Sequence, residues 1–336
     1  MRRYLGEDDS APIRHPEIVS GLQTRSLGIR LPERCGSVAP TVIPSVGCPM
    51  GCNFCTTSSF FGGKGNFYNF YETGDELFEL MDGFERSMKV QTFFVMDENF
   101  LLHRERAMEL LERMKAAGKS WGMAVFASAN AIRRYSMKEL VELGVSWIWM
   151  GLESQSTPEN IEDEIERAGS HKTDFHQFML YTPVPGTPLY FETKKQGRLL
   201  DGVDLADIHG QFQFNFEHAA ISRADSQKFL DWAFLRDFQR NGPSLYRMCR
   251  TMLEGWKRYR DYPNPRVRER FEREMSKLRL GYNAALWAME RQCREWNETV
   301  SAQIKGLRGE VEKECVFAAK LNARALGPLL LWTSRR

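Results

Sequence analysis

Cys48-Pro-Met-Gly-Cys52-Asn-Phe-Cys55 places three thiols within eight residues, spaced C-x3-C-x2-C. Close clustering in a chain with no export signal reads as metal binding or redox chemistry, not a disulfide framework. The total is seven cysteines, an odd number; the others are Cys35, Cys249, Cys293 and Cys315. Buried structural thiols would rarely need the proline and glycine that bend this segment round a point. A closed zinc site wants four ligands. No histidine lies within thirty residues of the trio, so Cys35 is the available fourth donor. An electron-transfer iron–sulfur site would also want four cysteines. Three thiolates lacking a fourth suit a cluster with one iron open to a small molecule.

The elements around this motif are those of an α/β protein. Thr41–Ser45, Thr92–Met96, Gly122–Ala127, Val145–Met150 and Phe175–Tyr181 read as strands. Helices are predicted between them. Thr73–Met88 opens with a capping box of Thr73 and Glu76, and Ser136–Leu143 with one of Ser136 and Glu139. Arg104–Ala117 is closed by Gly118, and Thr157-Pro158 opens a helix to Ala168. Buried strands alternating with helices predict a parallel sheet wrapped by helices. Residues 1–40 read as a linker arm, 41–200 as the core and 201–336 as a mainly helical C-terminal region. In that last region Met289, Cys293, Trp296, Val300, Ile304, Leu307, Val311 and Cys315 form one helical stripe. It predicts a long helix in which Cys293 and Cys315 are core thiols.

With an aromatic, Phe54, before the last cysteine, and a position just after the first strand, the motif resembles that of the radical S-adenosylmethionine (radical SAM) superfamily. The resemblance implies a partial (β/α) barrel. It also implies a 4Fe–4S cluster on Cys48, Cys52 and Cys55, and S-adenosylmethionine on the fourth iron. Further segments fit. Asp97-Glu98-Asn99 follows the second strand, at the end where α/β barrels keep their active face. The resemblance places this segment at the amino group of S-adenosylmethionine, and its carboxylates and the Asn99 carbonyl suit a cation. The same residues could simply start the next helix. Ser128 and Glu153, ending the third and fourth strands, fall where the family contacts the ribose or carboxylate; a cap and a loop acid are the plainer readings. Phe54 completes the cofactor set. No catalytic residue is assignable beyond the cluster.

Thr182-Pro-Val-Pro-Gly-Thr-Pro-Leu-Tyr190 is a rigid loop. It resembles the segment after the last barrel strand in the cobalamin-dependent branch, where it would shape the substrate pocket. Phe60-Phe-Gly-Gly-Lys-Gly65 lacks the Lys-Ser/Thr of a phosphate loop, and reads as a loop folded over the cluster. His209 and His218 could line a substrate pocket, although lone histidines are more often structural. Two departures stand out. Only 47 residues precede Cys48, too few for that branch's cobalamin domain. Cobalamin would therefore come through a missing or separate domain, and the chain reads as a truncation, a fragment or a partner. The strand count reaches five where the family has six, so the barrel reads as one strand–helix unit short between Glu153 and Thr157.

Composition limits the partners. Forty-six basic and 44 acidic residues, with 42% hydrophobic content, describe a soluble globular chain. That balance argues against nucleic acid. The arginine-rich stretch Leu245–Glu274 is diluted by acids and reads as a solvated face. No run approaches the ~20 apolar residues of a membrane span. The expectation is a cytoplasmic radical SAM enzyme acting on a small-molecule or lipid-like substrate, with methylation one reaction. A flavodoxin- or ferredoxin-type protein would supply electrons. The alternatives are an impaired fragment that still binds a cluster, and a zinc-stabilised interaction protein.

Overall fold

The computed structural model describes residues 18–20, 25–26, 29–30, 39–152, 157, 159–315 and 317–334. Cys35 and Glu153 lie outside the described residues, as does most of the expected arm. The chain divides into two compact units, Met1–Glu153 and Ser154–Arg336. The second therefore takes in 154–200, which sequence groups with the core.

The first unit is α/β. Its principal strands are β1 (Ile18–Ser20), β2 (Ala39–Val42), β3 (Ser45–Gly47), β4 (Phe67–Asn69), β5 (Thr92–Val95), β6 (Gly122–Phe126) and β7 (Val145–Trp149). The main sheet runs β1-β2-β5-β6-β7. Its last four strands are parallel, and β1 pairs antiparallel to β2. Parallel neighbours in chain order, joined by helices, are the start of a (β/α) barrel. The helices are α1 (Thr56–Phe60), α2 (Gly74–Met88), α3 (Arg104–Ala116), α4 (Ala129–Ile132) and α5 (Met137–Leu143). Both predicted capping boxes form, Thr73 with Glu76 and Ser136 with Glu139. Each satisfies two backbone N–H groups that a helix start would leave unpaired. Leu77, Phe78, Met81 and Phe84 of α2 and Leu110, Leu111 and Met114 of α3 join Phe93, Val95 and Trp121 in one core.

The first predicted strand is split. β2 stops at Val42, and Ser45–Gly47 pairs instead with β4 as an antiparallel two-stranded sheet. Pro44 has no N–H for a ladder, and its carbonyl takes the N–H groups of Phe70 and Tyr71. β7 forms as predicted but is not buried: Trp147, Ile148 and Trp149 are 41%, 38% and 48% exposed. Among the described residues no strand pairs with its far side. Phe175–Tyr181 does not extend the sheet and is not a strand. Phe178 packs edge-on to Phe234 in the second unit, while Phe175 and Met179 are exposed.

The second unit is mainly helical: α6 (Ile161–Ser170), α7 (Pro188–Lys195), α8 (Arg223–Asn241), α9 (Ser244–Tyr259), α10 (Pro265–Lys277), α11 (Asn283–Arg294), α12 (Glu298–Lys313) and α13 (Phe317–Ser334). α6 starts later than predicted, at Ile161, and its Asn160 side chain accepts from the Thr157 N–H. The predicted long helix is two. α11 ends at Arg294, and Asn297 caps α12 through the Val300 N–H. Trp296, in the break, is 67% exposed and leaves the stripe. The rest of the pattern holds, since the connection rejoins the same face. Cys293, Val300, Ile304, Leu307, Val311 and Cys315 share a core with Tyr246, Cys249 and Leu253. That core agrees with the core-thiol reading of Cys293 and Cys315.

Candidate functional site

The cysteine loop runs from the end of β3 to the start of α1. Gly51 holds φ +71°, a region that side chains disfavour. A Cβ there would stand 2.5 Å from Lys64 Cβ and 2.7 Å from Lys64 Cα. The Phe60–Gly65 segment therefore crosses directly over the cysteine turn, and Gly65 N–H donates to the Pro49 carbonyl at 3.0 Å. On the other side Cys55 caps α1, its sulfur accepting from Ser58 N–H at 3.4 Å. Ser58 Oγ donates back to the Cys48 carbonyl at 3.3 Å. Cys48 and Cys55 are half-buried, Cys52 is exposed, and Phe54 lies half-buried between the last two.

Burial pushes the Cys48 thiol up, and the charges of Cys52, Cys55 and Glu98 push it further, against a hydrogen bond from Met50. Ionised together, the three thiols and the Glu98 carboxyl would repel one another. A cationic metal centre relieves that repulsion, so the donor set fits a cluster held by three thiolates. Among the described residues no three ligating side chains are already gathered round a single point.

The Asp97–Asn99 segment faces this loop. Burial, then the charge of Asp97, raises the Glu98 carboxyl, while a hydrogen bond with Thr57 of α1 offsets part of this. Glu98 is thus beside both α1 and Cys48. Asp97 is placed differently. It is 2% exposed and bound to Arg106 Nη2 at 2.7 Å. It also accepts from Ser45 Oγ and from Asn99 N–H at 3.0 Å. The Asp97 carboxylate is thus engaged by three protein donors. Asn99 does not cap the following turn. Its side chain instead pairs reciprocally with Ser128, Nδ2 to Oγ at 3.1 Å and Ser128 N–H to Oδ1 at 2.9 Å. Ser128 also caps α4. The pair ties together the carboxyl ends of β5 and β6.

Sequence reading missed Arg106 and Ser45. Arg106 is buried and also donates to the Tyr71 carbonyl at 3.0 Å and Asn69 at 3.3 Å. A signal was present: Arg106 stands four residues before Leu110, on the apolar face of α3.

In the second unit Thr187 is fully buried and caps α7 through Tyr190 N–H, with its hydroxyl donating to the Val184 carbonyl. Pro185 and Tyr190 help line a cavity of about 470 Å³ with Lys194, Leu199 and Asn215. His218 stacks on Phe214 and accepts from Ala220 and Ile221 N–H. His209 accepts from Gln211 N–H. Both are satisfied loop histidines.

Residues 42–173 match the model of the radical SAM superfamily. This segment is similar to radical SAM domains, a family that implies a 4Fe–4S cluster and S-adenosylmethionine. The chain is also similar to three curated methyltransferases. It is 26% identical to the bacteriochlorophyllide d C-12(1)-methyltransferase of Chlorobaculum tepidum over 51% of this chain and 46% of that protein. It is 25% identical to an uncharacterised methyltransferase of Pyrococcus horikoshii over 44% of this chain and 40% of the relative. The cytidylyl-2-hydroxyethylphosphonate methyltransferase of Streptomyces wedmorensis is 30% identical over 27% of this chain and 16% of its own length. The chain thus spans less than half the length of each.

Proposed function

We propose that the protein is a radical SAM enzyme that methylates an unactivated carbon of a small-molecule or lipid-like substrate. The observation that carries this reading is the three-thiol loop facing Glu98 at the carboxyl end of a parallel sheet. Cys48, Cys52 and Cys55 would hold the cluster. When bound, a 4Fe–4S cluster would supply the electron for reductive cleavage of S-adenosylmethionine and so permit hydrogen abstraction. Glu98 is the acceptor left for the amino group, because Asp97 is consumed by Arg106. Asp97 instead positions Asn99, and the Asn99–Ser128 pair fixes two strand ends relative to each other. The Ser128 hydroxyl remains able to donate to a ribose or carboxylate, and Glu153 would serve the ribose diol. Phe54 and the Phe60–Gly65 loop would limit water at the thiols.

The methyl-transfer class is supported by the shared name of the three relatives. Its cobalamin would come from a further domain or a separate protein. A flavodoxin- or ferredoxin-type donor in a reducing cytoplasm would complete the system.

Anaerobic reconstitution with iron and sulfide tests the reading. The expected result is broad iron–sulfur absorption that collapses in Cys52→Ala, with 5′-deoxyadenosine released from S-adenosylmethionine under reduction. A cluster without 5′-deoxyadenosine would favour the impaired-fragment reading. Stoichiometric zinc without iron would favour the zinc-stabilised interaction protein.

A further inference from the structure

α13 carries a pattern that the proposed chemistry does not use. Phe317, Leu321, Ala325, Pro328 and Trp332 recur at spacings of 4, 4, 3 and 4, with Leu329 beside them. At 100° per residue these fall on one face. That face is open: Phe317 is 80%, Leu321 57% and Trp332 50% exposed, and Ala325, Pro328 and Leu329 are exposed with them. One flank of the helix is held against the unit, while Leu326 and Leu330 beyond it are exposed as well. Ala323 is buried, and a Cβ on Gly327 would stand 2.5 Å from the Trp287 ring. Only glycine allows that approach, so the helix is seated with its apolar stripe outward. Arg291 covers the Trp287 ring at 3.4 Å, which fixes the seat.

The charge around the stripe is one-sided. Residues 315–336 contain Lys320, Arg324, Arg335 and Arg336 and no acid, in a chain with 44 acidic residues. Arg324 is exposed beside the stripe. The helix has 18 residues, which makes it about 27 Å long. Among the described residues no helix is long and apolar enough to cross a membrane.

We propose that α13 lies on an anionic lipid bilayer, its apolar stripe in the headgroup–acyl boundary and its cations against lipid phosphates. Phenylalanine, leucine and tryptophan on the exposed side with basic residues beside them suit the headgroup–acyl boundary. The charge argues against a second copy as occupant. Two α13 helices face to face would bring cations together with no carboxylate from either. Nucleic acid is disfavoured because the exposed face is mostly apolar, and among the described residues of α13 only Arg324 is an exposed cation.

The test is flotation of the full chain with phosphatidylcholine vesicles, with and without phosphatidylglycerol. The expected result is at least ~10-fold tighter binding to the anionic vesicles, weakened severalfold by high salt. Phe317→Ser with Leu321→Ser should reduce binding by ~10-fold or more. Both side chains are exposed, so the circular dichroism spectrum and melting temperature should be unchanged. If the double variant is misfolded, Arg324→Gln and the salt series on the unaltered chain carry the test. Absence of vesicle binding would overturn the proposal. So would equal binding to neutral vesicles. A dimer by light scattering that the double variant converts to monomer would assign the stripe to self-association instead.

Discussion

The first unit buries Asp97 against Arg106 at 2.7 Å, and the second buries Asp237 against Arg247 at 2.9 Å. Each arginine is 2% exposed at its side chain, and each carboxylate has further donors. Asp97 takes Ser45 and the Asn99 backbone. Asp237 takes His176 at 2.9 Å and Asn241 at 2.9 Å. The chemistry is the same and the locations differ. Asp97 lies at a strand end, between a cysteine loop and a serine–asparagine pair, so its anchoring sets where Glu98 and Asn99 sit. Asp237 lies on a helix and grips His176 in the extended Phe175–Tyr181 segment. That segment pairs with no strand among the described residues, and the buried acid supplies a fixed point. A buried ion pair is therefore no marker of an active site by itself; its neighbours decide its use.

The largest expected effect separates the two pairs. Arg106→Met and Arg247→Met each leave a buried carboxylate uncompensated, which costs about 3–5 kcal/mol. Urea midpoints at unchanged slope measure this. Only Arg106→Met should also weaken S-adenosylmethionine binding in whatever fraction remains folded. If Arg247→Met weakens it equally, the contrast between the regions fails.

A smaller effect is set by pH. Burial alone would raise the Asp237 carboxyl, but hydrogen bonds from His176, Asn241 and Arg247 outweigh burial and hold it at about 2. The unfolded chain titrates near the ordinary value of about 3.9. The depressed folded value therefore stabilises the fold above about pH 4, and that contribution is lost as pH falls towards about 2. The contribution is on the order of 2 kcal/mol. Asp237→Asn should flatten this part of the acid unfolding profile.

The smallest effect tests the outer edge of the second network. Thr173 Oγ1 lies 2.7 Å from His176 Nε2. Thr173→Val should lower stability by about 0.5–1.5 kcal/mol. A larger loss would mean that the histidine, not the arginine, is the main anchor.

Much was legible where a local rule has a local cause. The capping boxes at Thr73 and Ser136 involve residues three apart, and both formed as read. The cysteine trio is contiguous and needed no tertiary information. The failures were of another kind. Phe175–Tyr181 alternates like a strand, yet a strand exists only where a partner edge is available. Asp97 suits a ligand by position, but its engagement within the protein was not read. Arg106 reached it from α3 and Ser45 from β3, contacts that no local pattern encodes. The break at Asn297 was masked because the stripe keeps its phase on both sides.

By itself the sequence determined the donor set, the alternation of strands and helices, and the apolar stripe of α13. All follow from residue type and spacing along a single element. Tertiary structure alone decided which carboxylate is consumed, which strand is left open at the sheet edge, and which face of α13 meets solvent. Those outcomes depend on groups distant in sequence competing for the same donors and the same buried space.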